Sequence, residues 1–408
     1  MSRIYQIGIR VFILAMRIAS LFNGKIKEGI EGRKNGLKKL NNIPENGNII
    51  WFHCASLGEF DQGLPVMTAL KKTIPNAYLL VSFFSPSGMK HYQKRNHTVD
   101  QAIYLPFDTI NNAKVFLQKV RPSIAVFIKY EFWPNLILQC KKTNVKTVSI
   151  STLLRKDQIY FKWYGGFFAG VLKSVDFFFV QNQETKSLLE SIGADNVEIS
   201  GDTRYDRVLE HRKNNAITND ILDQFTQEGP TLIVGSSWEE EEKIVKGFLD
   251  IDAKSKVIIA PHNVNEKNIG RIQSLLDQPS VRYTQFKEYQ GDRVLILDTI
   301  GHLSSAYQYA DYALIGGGFS GSLHNILEAG VWGLPVFFGP HHLKFPEAQN
   351  FIDGNIGFVI ENAAQLSEKI NALNHQEERK QKIEAFMQSQ AGATNKIVNH
   401  SFINDILK

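Results

Sequence analysis

Tyr312-Ala313-Leu314-Ile315-Gly316-Gly317-Gly318-Phe319-Ser320-Gly321-Ser322-Leu323-His324-Asn325-Ile326-Leu327-Glu328 decides the fold. It opens on a short apolar run, breaks at three consecutive glycines and resumes with helical spacing. A strand that feeds a helix through a glycine turn is one step of a parallel sheet with helices on its faces. The stretch also contains G-x-G-x-x-G, the pattern of a dinucleotide site. That site requires an acidic residue about 20 positions on, at the end of the next strand. The next strand ends instead in Gly339-Pro340-His341-His342, and the dinucleotide reading is rejected. What remains is a glycine-lined helix N-terminus, expected to hold a phosphate through backbone N–H groups. Asn325 and Glu328, at i and i+3, are expected to hydrogen-bond a sugar attached to it.

Outward from this stretch the alternation continues. Candidate strands are 49–53, 78–82, 124–128, 147–150, 177–181 and 197–200, then 231–235, 256–260, 294–297, 312–315 and 335–338. Helix-like segments such as 184–192 and 239–249 lie between them. The two series, each about 200 residues long, predict two doubly wound α/β domains. Their joint is expected in the polar stretch 206–219. The division is then a segment 1–42, a first domain 43–205 and a second domain 206–408. Ligands of open α/β sheets bind beyond the carboxyl ends of the strands, so the active site is expected in the cleft between the domains.

Composition narrows the class. The 408 residues are 43% hydrophobic and 21% charged, and hold only Cys54 and Cys140, which excludes a disordered chain and a disulfide framework. Residues 1–42 carry nine Lys and Arg against Glu28 and Glu31, or +7; the other 37 basic and 39 acidic residues leave −2. Basic charge is thus confined to one segment rather than spread over a nucleic-acid-binding face. Within it, Ile4 to Phe22 is apolar but interrupted by Arg10 and Arg17. That pattern suits a helix lying in the interface of an anionic membrane; a first helix buried against the domain is the alternative.

Three post-strand loops carry candidate chemistry in the first series. In Ser56-Leu57-Gly58-Glu59 the S-x-x-E spacing is a capping box, and it equally sets a carboxylate where it can accept a proton from a substrate hydroxyl. Glu131, in Lys129-Tyr130-Glu131-Phe132-Trp133-Pro134, is either a second active-site carboxylate or a residue of a surface turn. Arg204, in Gly201-Asp202-Thr203-Arg204-Tyr205-Asp206, is a fixed cation for phosphate or carboxylate, or a plain surface arginine. In the second series, Gly235-Ser236-Ser237-Trp238 precedes an acidic run, Glu239 to Glu242, whose place in a first helical turn is structural. The D-x-D at Asp250-Ile251-Asp252 follows a helix rather than a strand, and neither a Walker A sequence nor H-E-x-x-H occurs. No metal is expected.

Ser56 to Glu59, Glu131-Phe132-Trp133-Pro134-Asn135-Leu136, Gly201 to Asp206 and His324-Asn325-Ile326-Leu327-Glu328 together resemble the motif series of the 3-deoxy-D-manno-octulosonic acid (Kdo) transferases. Phe338-Gly339-Pro340-His341 and Phe345-Pro346-Glu347 extend the likeness over roughly residues 45–350. The resemblance implies a GT-B glycosyltransferase: two Rossmann-like domains facing across a cleft, acceptor site in the first and nucleotide-sugar site in the second. It implies transfer of Kdo from CMP-Kdo to a lipid A precursor of the lipid IVA type, in lipopolysaccharide core biosynthesis. The transfer inverts the anomeric carbon and uses no metal or cofactor beyond the donor substrate. By the family pattern Glu59 is the base, and Glu131 with Arg204 stabilises the transition state. Pro261, His262, Ile300, Gly301, His302, Asn325, Ile326, Leu327 and Glu328 would hold CMP. The implied location is the cytoplasmic face of the cell inner membrane. The chain departs from the pattern at Arg204 (usually Lys), His302 (usually Glu), Ile326 (usually Pro) and the short Gly321-Ser322. Another GT-B transferase or an epimerase using a UDP-sugar is the alternative.

Overall fold

The computed structural model describes residues 2–40, 43–44, 47–214, 218–373 and 375–407. Parts of the predicted boundaries at residue 42 and within 206–219 lie outside the described residues. The chain forms two compact units, Met1–Arg207 with Ala391–Lys408, and Val208–Gln390.

The first unit is built on seven strands: β1 (Ile49–Cys54), β2 (Tyr78–Phe83), β3 (Gln101–Tyr104), β4 (Ile124–Ile128), β5 (Lys146–Thr152), β6 (Phe177–Val180) and β7 (Val197–Ile199). They pair in the order β3-β2-β1-β4-β5-β6-β7, every pair parallel. Alternate residues of a strand face opposite sides of the sheet, and β1 shows why its run is apolar throughout. Ile49 and Trp51 enter one core, whereas Ile50, Phe52 and Cys54 enter the other. A sheet covered on both faces needs both sets to be apolar.

The second unit repeats the plan with β8 (Thr231–Ser237), β9 (Lys256–Pro261), β10 (Ser280–Arg282), β11 (Val294–Ile296), β12 (Tyr312–Ile315), β13 (Val336–Phe338) and β14 (Gly357–Val359). Its order is β10-β11-β9-β8-β12-β13-β14, again parallel. The winding reverses between β1 and β4 in the first sheet, and between β8 and β12 in the second. Crevices open at such reversals, beyond the carboxyl ends of the strands. They select the loops after β1 and β4 in one unit, and after β8 and β12 in the other.

The predicted division needs one correction. Residues 391–407 were assigned with the second domain, but they return to the first unit. There Ile397, Val398, Ile403 and Leu407 join the core containing Val66 and Leu70. The Asp206 carboxylate accepts the N–H groups of Gly392 (2.6 Å) and Thr394 (2.7 Å), tying the two places where the chain passes between units.

The N-terminal helix, Ser2–Ala19, lies on the first unit. Tyr5 donates to Asp108 (2.7 Å), Gln6 donates to Asn135 (2.7 Å), and Ile9 is buried. Ile4, Ile7, Val11, Leu14 and Ile18 are exposed, with Arg3, Arg10 and Arg17 among them. Among the described residues no helix is long and apolar enough to cross a membrane.

Candidate active site

Helix Leu57–Thr73 starts immediately beyond β1 with Ser56 as its N-cap and Glu59 at its third position. Glu59 Oε2 accepts the Ser56 N–H (2.9 Å) and the Ser56 hydroxyl. The carboxylate therefore does cap, and it does so with one oxygen. Glu59 Oε1 takes no hydrogen bond from the described residues, so capping and accepting a substrate proton are compatible. Glu59 stays half-buried at the sheet's carboxyl edge.

Glu131 follows β4 across the reversal. Its carboxyl is pushed up from 4.5 to about 7, first by burial and then by the nearby Glu59 charge, against smaller opposing effects of Trp133 and Lys129. The Glu131 side chain is only 19% exposed, so it is not the freely solvated carboxylate of a surface turn. A nearby negative charge disfavours ionisation of Glu131.

His53, near the end of β1, was not singled out by the sequence, yet it supports this pair. Its ring is fully buried and held down to about 3, chiefly by burial. Trp133 Nε1–H donates to His53 Nε2 (2.9 Å), so Nδ1 carries the proton and donates to the Ser82 carbonyl (3.1 Å). The 4.0 Å approach of His53 Nε2 to Glu131 is thus contact with a neutral imidazole, and leaves the Glu131 charge unneutralised. The one sequence signal for this role was a histidine inside an otherwise apolar buried strand.

Arg204 opens helix Thr203–Asn214 beyond β7. Its Nε and Nη2 donate to Asp202 Oδ2 (2.8 and 2.6 Å), and its N–H donates to Oδ1 (2.9 Å). Burial pushes Asp202 up, but the Arg204 charge and the hydrogen bonds from Arg204 and Gln62 outweigh it and hold the carboxyl below its usual range. Gln62 Nε2 donates to Asp202 Oδ1 (3.1 Å), and Thr203 Oγ1 donates to the Gln62 carbonyl. Arg204 is thus fixed, through Asp202, to the helix that carries Glu59. Asp202 is the second positioning residue that the sequence did not reveal.

In the second unit, one expectation fails. Residues 316–326 form turns and irregular backbone, and helical residues begin only at Leu327, ending at Gly330. The glycines serve close backbone passage instead. A Cβ on Gly316 would lie 2.1 Å from the Ser236 carbonyl oxygen, and one on Gly318 would lie 2.4 Å from the Gly339 nitrogen. The N–H groups of Gly316, Gly317, Ser322 and His324 are also engaged, that of Gly316 by the Gly235 carbonyl (2.9 Å). Glu241 Oε1 accepts from Gly317 (2.9 Å), while its Oε2 accepts from Trp238 (3.0 Å). The carbonyls of Gly317 and Gly316 accept from Ser322 (2.9 Å) and His324 (3.0 Å), and Asn325 Oδ1 accepts from Leu327 (3.2 Å). A glycine-lined helix N-terminus for phosphate does not form here.

The remaining candidates fall into three groups. His262, just past Pro261 and β9, stacks on Trp238 (4.3 Å between ring centroids) and lies 4.8 Å from His324. Trp238 Nε1–H donates to His324 Nε2 (3.3 Å). Burial, and secondarily His262, lowers His324 to about 4. Asn325 Nδ2 donates to Glu328 Oε1 (3.1 Å), so the expected i, i+3 pair is formed. Ile300, Gly301 and His302 follow β11, with His302 contacting Thr299 Oγ1 (3.1 Å) and the Tyr283 ring. Pro261, Ile326 and Leu327 are buried, the last two with no exposed surface, so these three do not line an open pocket.

Comparison with known proteins shows what this arrangement is similar to. Residues 29–207, which include both carboxylates and Arg204, match the family described as 3-Deoxy-D-manno-octulosonic-acid transferase (kdotransferase). This stretch is a Kdo transferase family domain. Similarity continues past it: the chain is 26% identical over 332 residues to a 3-deoxy-D-manno-octulosonic acid transferase of Aquifex aeolicus (strain VF5), covering 79% of this chain and 85% of that protein. The fold is GT-B. A glycosyltransferase structure from Rickettsia africae ESF-5 superposes with a TM-score of 0.61 at 17% identity, covering 89% of this chain and 99% of that one. A UDP-GlcNAc 2-epimerase from Methanocaldococcus jannaschii gives 0.57 at 15% identity, over 84% and 99%. At those identities the likeness is one of fold alone.

Proposed function

We propose that the chain transfers Kdo from CMP-Kdo to a lipid A precursor of the lipid IVA type, at the cytoplasmic face of the inner membrane, with Glu59 as general base. The observation that carries the reading is the placement of Glu59 beyond β1 and Glu131 beyond β4, on either side of the sheet reversal, within the stretch 29–207 that matches the Kdo transferase family model. A sugar hydroxyl is a weak nucleophile, and a positioned carboxylate contributes roughly 10²–10⁴-fold. Glu59 takes the hydroxyl proton as the acceptor oxygen attacks the anomeric carbon from the face opposite the phosphate, so the product is inverted. The bond from the anomeric carbon to the phosphate oxygen breaks, and CMP leaves with the electron pair.

Glu131 and Arg204 act on the charge that develops. Glu131, half-protonated near neutral pH, is able to donate a hydrogen bond where an ordinary carboxylate could not. Arg204, preorganised by Asp202, supplies a cation with no rearrangement at the moment of reaction. Because CMP departs as a monophosphate, the reaction presents no diphosphate for a metal clamp. His262, His302, Asn325 and Glu328 are the side chains proposed to receive the nucleotide. Helix Ser2–Ala19, apolar outward and edged with arginines, lies in the interface of the membrane that holds the acceptor.

The test is incubation of the purified chain with CMP-Kdo and a tetra-acylated lipid A precursor, following CMP release and lipid mass. A lipid heavier by one or more Kdo residues is expected. CMP release without a lipid shift overturns the acceptor; absence of both, with no CMP-Kdo binding, overturns the donor and returns attention to UDP-sugars.

A further inference from the structure

The loop Arg155–Gly165, beyond β5, plays no part in the chemistry above and presents an unusual surface. Trp163 is 95% exposed and Tyr164 51%, and Ile159 is exposed beside them. Arg155, Lys156 and Lys162 against Asp157 give the loop a charge of +2.

Its base is firmly built. Gln158 donates its N–H to the Arg155 carbonyl (3.0 Å) and Gly165 donates to the Lys162 carbonyl (2.8 Å). A Cβ on Gly165 would lie 1.7 Å from the Ile159 carbonyl oxygen, so the loop closes on its own backbone. Tyr160 packs edge-on against Phe132 and Phe168. Phe167 and Phe168, next in the chain, pack against Tyr5 of the N-terminal helix at 5.8 and 6.1 Å. The segment that follows the loop is therefore packed against the end of that helix where Ile4 and Ile7 are exposed. Trp and Tyr among Lys and Arg is the composition of a membrane-interface anchor: flat amphipathic rings at headgroup depth, cations against anionic lipid.

We propose that loop Arg155–Gly165 is a second point of contact with an anionic lipid bilayer, Trp163 and Tyr164 entering the headgroup region beside helix Ser2–Ala19. The proposal rests on the membrane reading of that helix and adds to it. One amphipathic helix leaves the unit free to roll about the helix axis, whereas a second contact off that axis fixes its tilt.

The experiment uses the full chain with phosphatidylcholine vesicles, with and without phosphatidylglycerol, and with acyl chains brominated to quench tryptophan. Three variants are compared: W163F, W163A/Y164A, and I7E/V11E on the helix. Wild type is expected to sediment with the anionic vesicles and be quenched, and W163F to bind while losing most of the quenching. W163A/Y164A should weaken partitioning by roughly tenfold, as removal of buried aromatic area requires. Unchanged quenching in W163F, or wild-type partitioning by W163A/Y164A while I7E/V11E is lost, overturns the loop contact and leaves the helix reading standing. Failure of wild type to bind anionic vesicles overturns both. Vesicle binding unchanged in W163A/Y164A, with loss of binding to a detergent-dispersed acylated glycolipid, would make the loop an acyl-chain site and overturn the proposal. Matching circular dichroism and thermal unfolding establish that the variants are folded.

Discussion

Replacing Glu131 by glutamine tests the electrostatic core of the site without reference to turnover. Glu131 keeps its proton up to about pH 7 in the folded chain, against an ordinary 4.5, mainly through burial and secondarily through Glu59. Below the ordinary value, folded and unfolded chains both hold the proton and pH has no leverage. As pH rises between the two values the unfolded chain releases its proton first, so stability falls, and it levels off above the folded value. At about 1.4 kcal/mol per pH unit the full effect is about 3 kcal/mol, and most of it develops between about pH 5 and about pH 8. Urea denaturation at those two pH values, wild type against E131Q, should therefore show the wild type losing about 2–3 kcal/mol relative to the variant. E59Q, which removes the neighbouring charge, should make the wild-type slope shallower. A wild-type minus E131Q difference that does not move with pH would refute the raised carboxyl. A slope unaffected by E59Q would refute the coupling.

Three further outcomes follow from the same geometry. E59A should lose roughly 10²–10⁴-fold in turnover with CMP-Kdo affinity kept, and about 1 kcal/mol of stability as its share of the cap is lost, read by steady-state kinetics and denaturation. D202N should cost about 3–5 kcal/mol by leaving the Arg204 charge without its buried partner. Because Asp202 is held below its usual range, the stability it provides is present at neutral pH and lost as pH falls below about 4, so wild type and D202N should converge in acid denaturation. E241A orphans the N–H groups of Trp238 and Gly317, at about 1–3 kcal/mol each; calorimetric CMP-Kdo affinity should fall with stability, whereas an undisturbed affinity would detach the glycine loop from the donor site.

Both sheets were largely legible because their central strands are covered on two faces and read as uninterrupted apolar runs. The strands that escaped notice, β3, β10 and β14, are all at sheet edges. Ser280-Val281-Arg282 shows why: an edge strand is short and half-solvated, and three residues with one apolar member carry no period. The post-strand positions of Glu59, Glu131 and Arg204 were legible, since the strands before them were. Their partners were not. His53 and Trp133 meet across 80 positions, and Asp202 reaches Gln62 across 140; nothing local marks such pairs. The glycine run misled because glycine serves two needs, an open anion cradle and close backbone passage. Only the positions of Ser236 and Gly339 distinguish them.

The return of residues 391–407 to the first unit also sets an order of events during synthesis. The surface that Ile397, Ile403 and Leu407 cover, around Val66 and Leu70, leaves the ribosome long before its cover does. Ile397 is made 327 residues after Leu70, so at about 5–20 residues per second that patch stays bare for roughly 15–65 s. The second unit, continuous in sequence, is free to fold in that interval. The unit made first is thus finished last, and until then its apolar flank is a ready target for chaperones.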